Sequence, residues 1–278
     1  MVKGQKDPKS ERRLRIHITR LPKHSLRWTA ELLWKLSLHR VTIRYKETLF
    51  GVGWIFLQPV ALTLIFYYIF HRFAHIPSGN IPYPLFTATG LVVWSITALV
   101  VSQSSGSLTG YADLLKRIAL PRIVLPLSVI VATLADFAIM GILLIGLFLY
   151  YHVHLSVSML WVVPIFLIHL MLLVGLSFLF SLSTVFLRDI GYAVGSLLQL
   201  WFFASPVFYP SSLVPKEFRT LADWNPMTGL IEGYRHALLG GQPPPMGLLI
   251  PAVIVSTGIL VVGLVLFRFL EGVLPDMM

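Results

Sequence analysis

The stretch Arg44-Tyr-Lys-Glu-Thr-Leu-Phe-Gly-Val-Gly-Trp-Ile-Phe-Leu-Gln-Pro59 joins two unlike parts of the chain. Before it lies a charged, amphipathic segment; after it begins the first long apolar run, with Gly51 and Gly53 at the join. Thirteen of the 22 Lys and Arg residues precede Gly51, against four of the 12 acidic ones. The formal charge of +10 therefore belongs almost wholly to the first fifty residues. Over all 278 residues 56% are hydrophobic and 12% charged, about half the charged share of a soluble domain. A basic arm on such a chain suits an anionic leaflet or headgroup, and no nucleic-acid partner is expected. There are no cysteines, which excludes disulfides and thiolate metal sites.

Residues 1–24 are polar, basic and aperiodic, as in a flexible cytoplasmic tail. Nothing before Gly51 is apolar enough for a cleavable signal peptide. Across residues 25–50, Arg27, Glu31, Lys35 and His39 recur every four positions, with Leu26, Trp28, Leu32, Leu33 and Leu36 between them. This pattern predicts an amphipathic helix lying in the headgroup plane. A packed helix is the alternative, although the chain offers no soluble core for it.

Residues 51–278 read as a transmembrane domain of six spans, by the requirement of about 20 mostly apolar residues. The spans are residues 51–73, 84–105, 123–151, 160–187, 190–208 and 248–269. An even number places both termini on one side. Counting Lys and Arg puts eighteen on the terminal side, including Lys116, Arg117, Arg122, Arg188 and Arg268, and four on the other. Both termini are then cytoplasmic. Between the last two spans, Pro215 opens a short helix, Asn225-Pro226 breaks the chain, and a second helix runs to Gly240-Gly241. Two short, half-apolar helices read as a re-entrant hairpin, tolerated at membrane depth where protein or a watery cavity surrounds it. The fold class is an all-α integral membrane protein. No inverted repeat is visible.

Chemistry is sparse. There is no phosphate-binding loop and no His-Glu-x-x-His motif. His152/His154 and His71/His75 lack a nearby carboxylate and mark polar span ends, so no metal site is expected. Asp136 sits inside the third span, where a carboxylate costs about 2.5–3.5 kcal/mol on insertion scales. It should face the bundle interior and find a partner, either as a hydrogen-bonding residue or in a proton relay. Gln58, His169 and Gln199 are further candidates for hydrogen bonds between helices. Two short connections, Tyr111–Arg122 and Phe186–Ile190, carry exposed charge on the cytoplasmic side. They suit either a soluble partner or simple positive-inside anchoring.

The order of these pieces resembles the permease subunits of bacterial ABC exporters for O-antigen, capsule and teichoic-acid polysaccharides. The matching residues are Arg44-Tyr-Lys46, Leu49 to Trp54, Leu57-Gln-Pro59, Leu114 to Arg122, and Phe186 with Arg188-Asp-Ile190. Further on come Gln199, Ser205-Pro-Val-Phe-Tyr-Pro210, Asn225-Pro-Met227, Tyr234-Arg235 and Leu238-Leu-Gly240. The resemblance implies a homodimer in the inner membrane with two copies of an ATPase subunit, which would hold the ATP and Mg; no cofactor and no catalysis are expected here. The cargo would be a polyprenyl-pyrophosphate-linked polysaccharide. By that similarity Leu114, Leu115, Lys116, Arg117, Arg122, Arg188 and Asp189 would meet the ATPase. Pro210, Asn225, Pro226, Tyr234 and Arg235 would form an outer gate. Arg40, Arg44 and Lys46 lie where a lipid pyrophosphate would arrive, though attraction to anionic lipid explains them equally. Trp54, Phe66, Tyr67, Phe70, Trp201 and Phe202 could line a sugar path. On the first span Phe66, Phe70 and Phe73 share one stripe, with Trp54 and Tyr68 opposite, but aromatic belts are the competing explanation. A drug- or lipid-exporting permease of the same fold, or a proton-coupled transporter using Asp136, are the rival functions.

Overall fold

The computed structural model describes residues 26–46, 53–76, 81–112, 115 and 120–274. Those residues are helical or in turns, with no strand among them. Helix α1 is Leu26–Lys46 and α2 is Gly53–Phe66, which runs on as a π-helix over Tyr67–Phe73. Then come α3 (Tyr83–Ser105), α4 (Val124–Tyr150) and α5 (Val162–Phe186, preceded by a 3-10 turn from Val157). The chain ends with α6 (Arg188–Phe203), α7 (Lys216–Asp223), α8 (Pro226–Arg235, continuing as a π-helix to Gly240) and α9 (Met246–Leu270).

Among the described residues, four segments are long and apolar enough to cross a membrane: Tyr83–Ser105, Val124–Tyr150, Val157–Phe186 and Met246–Leu270. The first and fifth expected spans fall short of that standard, each for a local reason. The first changes winding at Tyr67, so its α-helical part is 14 residues. The fifth stops at Phe203 after 16 residues, and Ser205-Pro206 turns the chain back toward Tyr209.

Helix α3 is the centre of the bundle, buried along most of its length. Its polar groups are stitched to α5: Thr97 Oγ1 lies 2.9 Å from His169 Nε2, and Ser104 Oγ 2.7 Å from Ser177 Oγ. Helices α5 and α9 meet at glycine. A Cβ on Gly175 would stand 2.6 Å from the Leu260 nitrogen, and one on Gly263 2.7 Å from the Gly175 oxygen. Small residues here let two backbones touch, which drives packing where solvent gives no hydrophobic push.

The first helix packs on the bundle along one side. One face, Trp28, Leu32 and Leu36, is buried against Leu108, Leu125, Phe178 and Phe267. The other face leaves Trp34, Leu38 and Ile43 exposed. The core that the sequence seemed to lack is the end of the bundle itself. Helix α1 also climbs along α4, because Arg40 bonds Ser128 and Arg44 bonds Asp136, two turns further on.

Candidate functional site

At the α1 end, Asp136 is the organising group. It is 1% exposed and lies about 18 Å along α4 from Val124. Arg44 pairs with one carboxylate oxygen, while Tyr45 Oη donates to the other at 2.5 Å. The second Arg44 nitrogen donates to Gln103 Oε1 on α3 at 2.6 Å. Four side chains from three helices thus close on one another, and the carboxylate has the partners that its burial demands. Burial pushes the Tyr45 hydroxyl up to about 12, reinforced by the Asp136 hydrogen bond. Arg40 Nε donates to Ser128 Oγ at 2.9 Å, and its guanidinium stands 5.1 Å over the Tyr111 ring. Lys46 is exposed. Of the three cations expected to meet a pyrophosphate, Arg44 is engaged internally, Arg40 in part, and Lys46 points outward. Sequence gives Tyr45 only as part of Arg44-Tyr-Lys46 and does not single out Gln103; both are polar residues beside apolar runs, and their partners, Asp136 and Arg44, lie far off in the chain.

At the same end, a cavity of about 470 Å³ opens between the close of α3 and the junction of α5 with α6. Arg188 and Tyr192 line it, but Asp189 does not. Leu115 is partly buried against the cluster that receives α1. Arg122 opens the turn into α4, its carbonyl accepting from the Leu125 nitrogen at 3.1 Å. Leu114, Lys116 and Arg117 lie outside the described residues.

Helix α6 carries an unusual surface for its setting. Of its residues Val194 alone is buried. Arg188, Asp189, Tyr192, Ser196 and Gln199 face outward, as does Gln58 on α2. Of the three candidates for hydrogen bonds between helices, His169 meets Thr97 on α3, while Gln58 and Gln199 are exposed on the surface of this chain.

The opposite end is organised by α8, buried at every position. Asn225 caps it: its Oδ1 accepts from the Met227 nitrogen at 3.1 Å and from Trp201 Nε1 at 3.1 Å. Its Nδ2 donates to the Ala204 carbonyl and to Ser205 Oγ. Pro226 follows at the first helical position, where a missing N–H costs nothing. Arg235 closes the other end, 1% exposed. Its guanidinium donates to the carbonyls of Phe86 (3.2 Å), Pro206 (2.7 Å) and Val207 (2.6 Å), and approaches Glu232 at 3.5 Å. Glu232 accepts in turn from the Ser211 nitrogen at 3.1 Å. The five residues expected at an outer gate thus fall on one unit. Asn225 and Arg235 tie its helix to the turn at 204–208, Tyr234 is buried beneath it, and Pro210 follows that turn.

The aromatic residues pack mainly on one another. Phe66 lies 6.1 Å from Phe202 and 5.1 Å from Phe208, Phe70 stacks on Phe208 at 4.6 Å, and Trp94 meets Trp201 edge-on at 5.5 Å. Tyr67 meets His71 at 5.4 Å. The expected stripe of Phe66, Phe70 and Phe73 is broken, because the π-helix changes the winding after Phe66 and leaves Phe73 exposed. Trp54 is exposed as well.

Comparison with known proteins bears on this arrangement. Residues 32–239 match the family model described as an ABC-2 type transporter. An O-antigen export system permease protein from Klebsiella pneumoniae is 29% identical over 220 residues, covering 79% of this chain and 84% of that protein. A protein of the same description from Myxococcus xanthus is 30% identical over 220 residues, covering 76% and 84%. A polysialic acid transport protein from Escherichia coli is 24% identical over 211 residues, covering 74% and 80%. With a family model spanning α1 through α8, the chain belongs to the ABC-2 type transporter family.

Proposed function

We propose that the chain is the membrane permease of an ATP-driven exporter that carries lipid-linked polysaccharide, of O-antigen, capsule or teichoic-acid type, across the bacterial inner membrane. It works as a homodimer with six spans per copy, the π-wound helix from Gly53 and the short α6 serving as the first and fifth. The termini are cytoplasmic, α7 and α8 re-enter from the outer side, and two ATPase subunits supply ATP and Mg. Residues 114–122, with Asp189, receive the ATPase.

The observation that carries this reading is the outward face of α6. Polar side chains turned toward hydrocarbon are costly, so Tyr192, Ser196 and Gln199 call for a watery path or a second copy. A homodimer closing α6 and α2 around a path satisfies them. The relatives named for O-antigen and polysialic acid transport support a polysaccharide cargo. The Arg44 and Tyr45 bonds to Asp136 favour a structural role for that carboxylate over a proton relay.

The test is affinity purification of the full chain from its own membranes, followed by ATPase assay with and without polyprenyl-linked glycan. The expected result is a co-purifying ATPase whose turnover rises with the glycan. Recovery of an active transporter with no ATPase subunit would overturn the proposal.

A further inference from the structure

We propose that the cavity between α3 and the α5–α6 junction is a binding site for the phosphate or diphosphate head of a membrane lipid, with Arg188 and Tyr192 as its ligands. The proposal deepens the function above and rests on its orientation and its lipid-linked cargo. The cavity measures about 470 Å³, within the range of small-molecule sites, about 300–1,000 Å³. It is larger than a lone anion needs and too small for a polymer, which suits a headgroup whose tail lies outside. Arg188 and Tyr192 fall at i and i+4 on α6, so both side chains reach the cavity from one face.

The lining is matched to an anion. Among the described residues no carboxylate pairs with Arg188, so its guanidinium is available for the bidentate contact that phosphate favours. Asp189, its neighbour, is absent from the lining. Ser105 and Thr184 spend their hydroxyl protons on the carbonyls of Ser102 and Phe180. Among the described residues no bond takes up the Thr109 or Tyr192 hydroxyl, so two hydroxyl donors line the cavity beside the one cation. Tyr192 is 87% exposed, which leaves the cavity open toward the α6 surface. The site therefore separates Arg188 from Asp189: the arginine holds a headgroup, and the aspartate stays with the cytoplasmic contact.

The experiment measures binding of radiolabelled geranylgeranyl diphosphate to the full chain in neutral phosphatidylcholine nanodiscs. Competitors are inorganic pyrophosphate, phosphatidylglycerol and geranylgeraniol. The expected result is saturable binding, weakened about tenfold or more by Arg188→Ala and less by Arg188→Lys or Tyr192→Phe. Asp189→Asn should leave it unchanged. Thr109→Leu, which narrows the cavity without removing the cation, should weaken it too. Competition by inorganic pyrophosphate as strong as by the prenyl diphosphate would reassign the site to a free anion. Equal competition by phosphatidylglycerol would make it a general site for anionic lipid. Either result overturns a site for the diphosphate-bearing lipid, as does full binding by Arg188→Ala. ATPase co-purification is scored separately: lipid binding without an ATPase fails the exporter reading and keeps this site, and the reverse keeps the exporter and fails the site.

Discussion

Arg44, in the last turn of α1, is ion-paired with Asp136, in the middle of α4, across 92 residues of sequence. The same guanidinium reaches Gln103 on α3, so one side chain fixes the first helix to two helices of the bundle. The partners differ in burial, with 21% of the Arg44 side chain exposed and 2% of that of Asp136. Removing the arginine strands a buried carboxylate, whereas removing the aspartate leaves a less buried cation that keeps its bond to Gln103. Arg44→Ala should therefore cost about 3–5 kcal/mol, and Asp136→Ala less. The double variant should recover part of the loss, because no lone charge remains. Thermal unfolding of the purified chain in detergent reads all three; a double variant as unstable as the two losses combined would contradict the pairing.

Tyr45 adds a pH signature to the same cluster. Burial, with the Asp136 bond second, raises its hydroxyl to about 12 in the folded protein, against about 10 unfolded. Because the folded value is the higher one, Tyr45 contributes its full stability below pH 10. That contribution is lost as pH rises from about 10 to about 12, where the unfolded chain gives up the proton first. Tyr45→Phe should be less stable than the parent at neutral pH, and the gap should narrow across that window in detergent unfolding. A gap constant through the window would show that the hydroxyl is not held neutral by the fold.

Gly90 tests the other end. A Cβ there would stand 2.4 Å from the Val207 oxygen and 2.8 Å from Arg235 Nη2. Both belong to the unit in which Arg235 holds the turn after α6. Gly90→Ala should destabilise by about 1–3 kcal/mol through overpacking. Gly141→Ala is the control: its Cβ meets nothing within 4 Å, so it should be neutral or slightly stabilising, as Ala is preferred over Gly in a helix. Equal melting temperatures for the two would mean that the Arg235 unit has room to move.

Hydropathy was enough to read the four long spans, the helix at Leu26–Lys46 and the paired short helices with breaks at Pro215, Asn225-Pro226 and Gly240-Gly241. Those features are local, set by apolar runs and by residues that start or stop a helix. Facing was not legible. A helix between protein and lipid is apolar on both sides, so periodicity does not say which polar residue turns inward. Gln58, His169 and Gln199 looked alike in sequence, yet His169 is 1% exposed and the two glutamines are on the surface. The need of Asp136 for a partner was legible, but Arg44 was not identifiable as that partner, since burial demands a counter-charge without saying where in the chain it lies.

The aromatic residues separate into two groups with opposite expectations. Phe66, Phe70 and Trp201 already have ring partners within the chain, and Trp201 also donates to Asn225. Aromatic pairs contribute about 0.5–1.5 kcal/mol each beyond their buried area, and the Asn225 bond about 1 kcal/mol more. Trp54 is 51% exposed on a helix whose outward face also carries Gln58, so part of its ring has surface to offer a passing sugar. Leu at Phe66, Phe70 and Trp201 together should lower the melting temperature in detergent, and export should fall only as far as the amount of folded protein falls. Leu at Trp54 should slow export per folded transporter. Polymer export in cells, divided by the membrane level of the chain, distinguishes the two. If the triple variant exports slowly at a normal level and melting temperature, its rings line the path and the contacts within the chain are incidental. If the Trp54 variant exports normally, that ring faces lipid and the path lies along the polar residues of α6 alone.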